Sequence, residues 1–336
     1  MKLLTVTVPC YNSQDYMEKC IDSILAGRDR TEIIIIDDGS KDRTGAIADQ
    51  YAAAYPDDVK VIHQENGGHG EGINQGIRHA GGKYFKTVDS DDWLSTDFIR
   101  FLDSLEEVDR NGGADLIVTN YYYEHADGKG NRSINFSNAL PEGRVFTWAE
   151  TKPFRIDQIL MIHACTFRTQ LLRDTGLEMP KHVFYEDNYM IYGNLKNTGR
   201  LYYMNIDMYR YYIGRAGQSV QEDVMKKRYN HQIKIAELCF RSCHLGSIED
   251  RRKRNYMRHE MFIMFGIAVL FARLNRNRQC DAELEKMWEN CREFDREWAD
   301  YFRYRTLLRL ICLPGMTGAG FVSFIYRIAH RVVRFN

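Results

Sequence analysis

Four consecutive isoleucines at positions 33–36 constrain the fold of this chain more than any other feature. A continuous run of β-branched residues favours a strand that is buried on both faces, as in a parallel sheet covered by helices. Segments with helical periodicity lie on either side of it, at residues 15–25 and 42–55. This alternation of strand and helix predicts an α/β architecture.

The alternation continues through residue 120. Strands are predicted at residues 3–8, 32–37, 59–63, 83–88 and 114–120, and helices at 15–25, 42–55, 70–80 and 97–108. Residues 125–215 are rich in Tyr, Asn and Gly, which predicts short strands and one helix that begins near Glu186. We therefore predict a domain of residues 1–220 with a mainly parallel sheet covered by helices, followed by a helical C-terminal domain of residues 221–336.

Charge is distributed unevenly along the chain. There are 24 basic and 32 acidic residues before residue 221, against 22 and 14 from there on, which indicates different partners for the two parts. The eight cysteines form no CxxC pair, and this predicts buried thiols. Lys2 is followed at once by a strand-like segment, so no signal peptide is expected, and the apolar run 261–272 is too short to span a bilayer.

Three polar clusters follow predicted strands at their carboxyl ends. They are PCYN (9–12), DDGS (37–40) and DSDD (89–92). Ligands of open α/β sheets bind outside these strand ends, so the clusters are expected to meet at one edge. The charges of Asp89, Asp91 and Asp92 repel one another, and a divalent metal is a natural partner for their oxygens. The alternative is a set of loops with helix caps, for which Ser40 and Asp42 are suited.

Five motifs resemble glycosyltransferase family 2, whose members have the GT-A fold. They are VPCYN (8–12), IIIIDDGSKDRT (33–44), NGG (66–68), DSDDW (89–93) and YED (185–187). Their order and spacing match that family over residues 3–220. The resemblance implies transfer of a sugar from a nucleotide diphosphate donor, expected to be a UDP-sugar, to an acceptor hydroxyl with inversion. It also implies a donor site in residues 1–120 and an acceptor side in residues 121–220.

The resemblance implies roles for the acidic residues. Asp91 is the expected ligand of Mn²⁺ or Mg²⁺, with Asp89 assisting at the metal or the ribose and Asp92 behind them. A metal at this position stabilises the charge of the departing diphosphate. Asp37 or Asp38 is expected to accept the N–H at the edge of a uracil base.

The remaining donor contacts also follow from the resemblance. Pro9, Tyr11 and Asn12 are expected to line the nucleoside, and the Tyr11 ring is suited to stacking. Gly67 and Gly68 would allow the backbone to approach the donor. Further along the chain, Arg215 and Ser219 resemble the segment that closes over the diphosphate, although Arg215 is equally interpretable as a solvated arginine.

Asp187 is the expected general base by the same resemblance. Inversion requires a base that deprotonates the attacking hydroxyl opposite the departing phosphate. Asp187 opens a predicted helix, where the helix dipole favours its ionised form. Glu186 is the alternative base. Asp187 could also be a first-turn carboxylate that only stabilises the helix.

The chain departs from the family pattern in one segment. Many relatives have Ala-Arg-Asn where this chain has GIN (72–74), so the local diphosphate contacts fall to Arg78 or to the metal. A QxxRW segment, the mark of processive polysaccharide synthases, is absent from the sequence, which favours addition of a single sugar. The sequence GGHGEG (67–72) does not match GxGxxG, and the chain has no P-loop motif.

Histidines give a weak signal. His63, His69 and His79 do not have the spacing of a metal site. His163 is interpreted either as a contact for the acceptor or as a histidine of the core or a loop.

The last residues predict a basic amphipathic helix. One face would carry the apolar residues Phe321, Phe324, Ile325, Ile328, Val332 and Phe335, and the other Arg327, Arg331 and Arg334. This pattern is typical of a helix on an anionic membrane surface, so residues 319–336 are the predicted contact. The alternative is a helix that packs on its own domain.

With the resemblance, these patterns predict an enzyme of the bacterial cytoplasm or of the inner face of the plasma membrane. Its expected acceptor is a glycan or a lipid-linked intermediate in cell-surface polysaccharide or glycoconjugate synthesis, and no nucleic-acid partner is expected. Two alternative classes are a nucleotidyltransferase that makes a sugar nucleotide and a non-catalytic nucleotide-sugar-binding protein.

Overall fold

A computed structural model describes residues 2–214, 218, 221–275 and 277–312. The chain divides into two compact units. Unit 1 comprises Met1–Phe154 and Leu160–Ile213, and unit 2 comprises Arg155–Ile159 and Gly214–Asn336. Arg215, Ser219 and the predicted C-terminal helix lie outside the described residues.

Unit 1 contains a ten-stranded sheet. Its strands are β1 (Leu4–Cys10), β2 (Thr31–Asp37), β3 (Val59–His63), β4 (Tyr84–Thr87), β5 (Trp93–Leu94), β6 (Leu116–His125), β7 (Arg132–Ile134), β8 (Val145–Thr147), β9 (Cys165–Arg168) and β10 (Arg200–Ile213). The order across the sheet is β3-β2-β1-β4-β9-β6-β10-β5, with β7 on β6 and β8 on β10. Strands β3, β2, β1 and β4 are parallel, and so are β6 and β10.

Helices connect and flank these strands. They are α1 (Met17–Leu25), α2 (Thr44–Ala54), α3 (His69–His79), α4 (Asp97–Arg110), α5 (Thr169–Thr175) and α6 (Glu186–Leu195). The isoleucine run lies in β2, and all four side chains are fully buried. The predicted α/β class is therefore confirmed, because β2 lies between parallel strands and packs against helices α1, α2 and α3.

The structure differs from the prediction between residues 125 and 215. Besides α6, this stretch contains helix α5, and β10 is 14 residues long rather than short. Strand β9 lies between β4 and β6 and is antiparallel to both, with Phe167 opposite Phe85 and Leu116. Pairing between distant segments decides this insertion, and local periodicity carries no information about such pairing.

From Glu222 onward, the described residues of unit 2 are mainly helical, as predicted. It contains α7 (Glu222–Lys227), α8 (Tyr229–Arg241), α9 (Arg251–Leu274), α10 (Arg278–Phe294), α11 (Arg296–Arg305) and α12 (Leu308–Ile311). Met261, Phe265 and Ala272 on α9 are fully buried. Among the described residues, no helix has the length and apolarity needed to cross a membrane. The eight cysteines are free thiols, and all but Cys312 are buried.

Candidate active site

The predicted polar clusters meet at the carboxyl edge of the sheet in unit 1. The backbone N–H of Asn12, which follows β1, donates to Ser40 Oγ after β2 at 3.1 Å. Ser13 Oγ lies 2.8 Å from Ser90 Oγ in the loop after β4. Asn12 adopts a left-handed backbone conformation with φ of 51°, and its Oδ1 accepts from Lys41 N at 2.8 Å. These contacts confirm that the three clusters share one edge.

Asp38 holds the glycine loop that precedes α3. Its Oδ1 accepts from Gly67 N at 2.7 Å and from Gln64 Nε2 at 2.6 Å, and its Oδ2 accepts from Gly68 N at 2.8 Å. Gly68 has φ of +85°, a conformation that other L-residues rarely adopt, and an added Cβ would lie 3.0 Å from His182 N. Asp38 is therefore a buried structural anchor of the loop, in addition to being a candidate for base recognition.

Asp37 has a comparable set of partners. Its Oδ1 accepts from Ser40 N at 3.1 Å, and its Oδ2 lies 3.0 Å from His63 Nδ1. Burial raises the pKa of Asp37, but the hydrogen bonds from Ser40 and His63 outweigh burial and leave it below its usual value. The carboxylate is therefore ionised at neutral pH and has fixed orientation.

His69 connects two acidic residues from distant parts of the chain. Its Nδ1 lies 2.6 Å from Glu186 Oε1 at the start of α6, and its Nε2 lies 3.0 Å from Asp89 Oδ1 after β4. Sequence separations of 117 and 20 residues are bridged by this one imidazole. The bridge joins the DSDD cluster, the glycine loop and the YED motif in a single network.

Opposite charges in this network stabilise the ionised forms of His69 and Asp89. Burial lowers the pKa of His69, but the carboxylates of Asp89 and Glu186 outweigh it and raise that pKa well above its usual value. Burial likewise raises the pKa of Asp89, whereas His69 and His163 hold it well below its ordinary range. His69 and Asp89 therefore form an imidazolium–carboxylate pair at neutral pH.

Asp92 lies deeper than its neighbours in the acidic cluster. It is buried, and its two oxygens accept from Tyr209 Oη at 2.6 Å and from Tyr212 N at 2.8 Å. Burial, followed by the charges of Asp91 and Asp89, raises the pKa of Asp92 well above its usual value. Asp91 is half-buried in the same loop. Asp92 thus ties this loop to β10.

The residues present have a donor set suited to a divalent metal. Ligand atoms of Asp89, Asp92 and His163 lie within 4.8 Å of one another in the described structure. His163 is buried, its ring stacks on Tyr211 with centroids 4.3 Å apart, and its Nδ1 has no hydrogen-bond partner among the described residues. Carboxylate oxygens are the ligands that Mg²⁺ and Mn²⁺ prefer. Asp89 belongs both to this group and to the predicted pair with Asp91.

Asp187 lies in the first turn of α6. Asn188 Nδ2 donates to its Oδ1 at 3.1 Å, and the preceding Tyr185 has a left-handed conformation with φ of 70°. Burial and the adjacent charge of Glu186 raise the pKa of Asp187 to about 6. A carboxylate with this pKa is ionised at neutral pH yet basic enough to accept a proton, as a general base requires.

The nucleoside side of the edge is open. Tyr11 is 52% exposed, so its ring face is accessible for stacking. Pro9 lies in β1, where an added Cβ on Gly72 would come within 2.9 Å of its Cβ, so α3 packs directly on β1. This contact accounts for a residue without a side chain at the first position of the GIN segment.

Arg78, a predicted contact of the diphosphate, already has two carboxylate partners. It pairs with Glu71 at 3.0 Å and with Glu178 at 2.5 Å.

Sequence reasoning missed the role of two histidines. His69 and His163 lie far from Asp89 in the sequence, and their spacing does not match a metal site. In the structure both contact Asp89, at 3.0 Å and 3.7 Å. One local signal was present, because His69 directly follows the NGG motif at the first position of α3. The predicted contacts of Arg215 and Ser219 concern residues outside those that the structure describes.

Residues 5–171 match the family model described as glycosyl transferase family 2. These residues therefore form a domain that belongs to glycosyltransferase family 2.

Curated relatives agree with the family. The chain is 35% identical over 166 residues to the uncharacterized glycosyltransferase EpsJ of Bacillus subtilis, which covers 49% of this chain and 45% of that protein. It is 40% identical over 131 residues to the glycosyltransferase GlyG of Streptococcus pneumoniae, with coverage of 38% and 42%. The chain thus spans less than half the length of these two relatives.

Solved structures show the same fold. The UDP complex of S. aureus TarS 1-349 superimposes with a TM-score of 0.61 at 19% identity, over 91% of this chain and 92% of that one. The mannosyltransferase PcManGT of Pyrobaculum calidifontis, in complex with GDP-Man and Mn²⁺, gives a TM-score of 0.55 at 14% identity, over 97% and 80%. The fold is therefore GT-A, followed by a helical C-terminal region, as predicted.

Proposed function

We propose that the carboxyl edge of unit 1 transfers a sugar from a nucleotide diphosphate sugar, specifically a UDP-sugar, to an acceptor hydroxyl with inversion. The bridge from Glu186 through His69 to Asp89 is the observation that carries the proposal. It joins the motif that the family resemblance assigns to the donor with the motif that it assigns to the base. The structures similar to this chain that contain UDP and GDP-Man support a nucleotide-sugar donor.

The donor lies on residues 1–120 in this proposal. Tyr11, with its exposed ring, stacks on the base, and Asp37 or Asp38 accepts the base N–H. Pro9 and Asn12 flank the nucleoside, while the loop of Gly67 and Gly68 lies beside the diphosphate. The loop is held in place before the donor arrives, because Asp38 accepts from both glycine N–H groups. Arg215 and Ser219 remain proposed contacts of the diphosphate.

Asp187 is the proposed general base on the acceptor side, residues 121–220. It takes the proton of the acceptor hydroxyl as that oxygen bonds to the anomeric carbon and the diphosphate departs from the opposite face. The pKa of about 6 keeps Asp187 ionised before the reaction. Glu186 is engaged with His69, so it orients the network and is the less suited of the two to accept a proton.

A divalent metal fits this edge. Asp91 and Asp89 are the proposed ligands, with Asp92 and His163 close to Asp89. When bound, Mn²⁺ or Mg²⁺ would neutralise charge on the leaving diphosphate. Asp89 is held ionised by His69 and His163 and so presents a charged oxygen ligand at neutral pH.

The biological setting that we propose follows from the family resemblance. The acceptor is a glycan or a lipid-linked intermediate in the synthesis of a cell-surface polysaccharide or glycoconjugate. The enzyme would work in the cytoplasm or at the inner face of the plasma membrane, where residues 319–336 are the proposed membrane contact.

A donor panel tests the proposal. The protein is incubated with UDP-, GDP- and other nucleotide sugars in Mn²⁺, in Mg²⁺ or in EDTA, and release of free nucleoside diphosphate is measured. We expect release from one class of UDP-sugar, stimulated by metal and accelerated by the acceptor. A nucleotidyltransferase would instead release pyrophosphate from a nucleoside triphosphate and a sugar phosphate. Binding of nucleotide sugar without any turnover would indicate a non-catalytic binding protein.

The metal ligand has its own test. Asp91→Asn removes one proposed oxygen ligand, so UDP should bind more weakly in Mn²⁺ by calorimetry while the fold is kept. Asp57→Asn is the matched control, since Asp57 is an exposed aspartate next to the amino end of β3. Equal UDP affinity in the Asp91 variant and the control, or full activity in excess EDTA, would remove the metal from the proposal.

A further inference from the structure

Unit 2 contains an open groove that the proposed reaction does not use. It has a volume of about 480 Å³ and lies between the middle of α9, the end of α11 and the start of α12. Its nine lining residues include three arginines and no acidic residue: Arg258, Arg305 and Arg309 carry its charge. None of the residues assigned to donor, metal or base lines it.

These arginines lack carboxylate partners in the part of the chain that the structure describes. Other arginines of unit 2 do form such pairs: Arg273 with Asp281, Arg292 with Asp300 and Arg303 with Glu285. Arg258 instead lies over the ring of Tyr301, with 6.0 Å between its Cζ and the ring centroid. Unpaired guanidinium groups that converge on one groove make it a receptor for an anion, and their planar donor geometry suits phosphate.

The same groove has a large apolar surface. Phe262 and Tyr301 line it, and Leu307 at its border is 70% exposed. A free phosphate ion makes no use of aromatic walls or of an exposed leucine. Apolar side chains beside cationic ones are instead typical of protein surfaces that enter the boundary between lipid headgroups and acyl chains.

We propose that this groove binds the phosphate of an anionic phospholipid at a membrane surface. Arg258, Arg305 and Arg309 contact the headgroup phosphate, and Leu307 enters the acyl boundary. The charge complementarity and the adjoining apolar border both favour this occupant over a soluble phosphate compound. None of the groove residues belongs to segment 319–336 or to the proposed donor site, so the groove is a second proposed membrane contact.

Sedimentation with vesicles tests the proposal on the full chain. The vesicles contain equal parts of phosphatidylglycerol and phosphatidylcholine, with pure phosphatidylcholine as the uncharged reference. Each arginine near an anionic surface contributes about 1 kcal/mol, so Arg305→Gln with Arg309→Gln should weaken partitioning about 30-fold. Both side chains are exposed, which favours retention of the fold.

A matched double variant separates the groove from overall charge. Arg251→Gln with Arg252→Gln also removes two exposed arginines from unit 2, at the start of α9 and outside the groove. We expect this control to lose less than about threefold. Equal losses in the two double variants, or no loss in the groove variant, would overturn the proposal because binding would then depend on diffuse charge or on another segment.

Two further measurements fix the occupant. Leu307→Ser keeps all charges and should weaken vesicle binding, since it removes the apolar insertion; unchanged binding contradicts the lipid assignment. In competition, a short-chain soluble phosphatidylglycerol should displace the protein from vesicles at far lower concentration than glycerol phosphate. Equal potency of the two competitors would mean that the groove binds a soluble phosphate compound, and the lipid proposal would be wrong. Thermal unfolding of each variant confirms that the fold is retained.

Discussion

The carboxyl edge of unit 1 and the helical core of unit 2 both bury ionisable groups, but they treat them differently. At the edge, Asp38 accepts three hydrogen bonds and Asp89 contacts two histidines. In unit 2, Glu260 is buried on α9 with one hydrogen bond, from Tyr256 Oη at 3.0 Å, and its Oε2 has no partner among the described residues.

The consequence is a difference in charge state. His69 and His163 keep Asp89 ionised despite its surroundings, whereas burial raises the pKa of Glu260 from its ordinary value of 4.5 to about 8. A buried pair that keeps both charges, as His69 and Asp89 do, is typical of a functional site. A carboxyl group that remains protonated at neutral pH acts as a packed, neutral hydrogen-bonding group. The comparison therefore favours a functional role for the ionised Asp89 in unit 1 and a packing role for the protonated Glu260 in unit 2.

Removing the proposed base should have the largest effect. Asp187→Asn keeps the size of the side chain and its place in the first turn of α6 but cannot accept a proton. Transfer should fall by a factor of about 10² to 10⁴, because this is the usual contribution of a general base. Binding of the UDP-sugar, measured by calorimetry, should remain, since the donor contacts lie on other segments. Near-normal turnover with the true acceptor would move the base to Glu186 or another group.

Glu260→Gln should stabilise the protein. Between pH 4.5 and 8 the folded state retains the Glu260 proton while the unfolded state releases it, so this group makes stability fall as pH rises. By pH 7 this group has lowered the free energy of unfolding by about 3 kcal/mol, because each pH unit above 4.5 removes 1.36 kcal/mol. The amide resembles the neutral acid and removes this cost. Chemical denaturation at several pH values should show a flatter dependence than in wild type.

An exposed glutamate on the next helix gives the control for Glu260. Glu289→Gln on α10 removes the same charge from a side chain that lies in solvent. Its pH dependence of stability should follow that of wild type. If both variants behave alike, the effect reflects net charge, and the contrast between the two units would lose its basis.

Much of the fold was predictable because its signals are local. The isoleucine run identified β2, and the predicted strand at 59–63 coincides with β3. The helix predicted at 15–25 begins at Met17, and the backbone N–H of Met17 donates to Ser13 O in the turn before it. Periodicity reports which face of a segment is buried, and this is sufficient to define elements within a few residues.

Contacts between distant segments were not predictable in the same way. The antiparallel insertion of β9 depends on pairing with β4 and β6, and the His69 bridge joins residues 20 and 117 positions away. No periodic pattern encodes such distances. The convergence of the strand-end clusters could be predicted, because topology alone brings the carboxyl ends of parallel strands to one edge. The partners of each side chain at that edge could not.

Asp38→Asn should lower the stability of the folded protein, whereas Glu260→Gln should raise it. An asparagine offers one acceptor oxygen, so the N–H groups of Gly67 and Gly68 cannot both keep their present bonds. Loss of a hydrogen bond to a charged group costs about 2 kcal/mol. Chemical denaturation should therefore show destabilisation, with Asp57→Asn as an exposed control near wild type. Stabilisation by Asp38→Asn would contradict the view that buried charges in unit 1 are satisfied.

The smallest expected effect is the pH dependence of transfer, which reports the ionisation of Asp187 in unit 1. Asp187 must be ionised to accept a proton, and its pKa is about 6. The value of kcat/KM should therefore fall about tenfold for each pH unit below 6 and level off above it. Unfolding of unit 2 cannot mimic this loss through Glu260, because that group adds stability as pH falls.

A second variant identifies the group behind that profile. The charge of Glu186 helps to raise the pKa of Asp187, so Glu186→Gln should move the midpoint of the profile to lower pH. Asp174→Asn, which changes a carboxylate on α5 that bonds to Gln170, should leave the midpoint where it is. A midpoint that stays in place in Glu186→Gln, or that moves equally in both variants, would mean that the titrating group is not Asp187. The network that distinguishes unit 1 from unit 2 would then set the position of the donor without tuning the base.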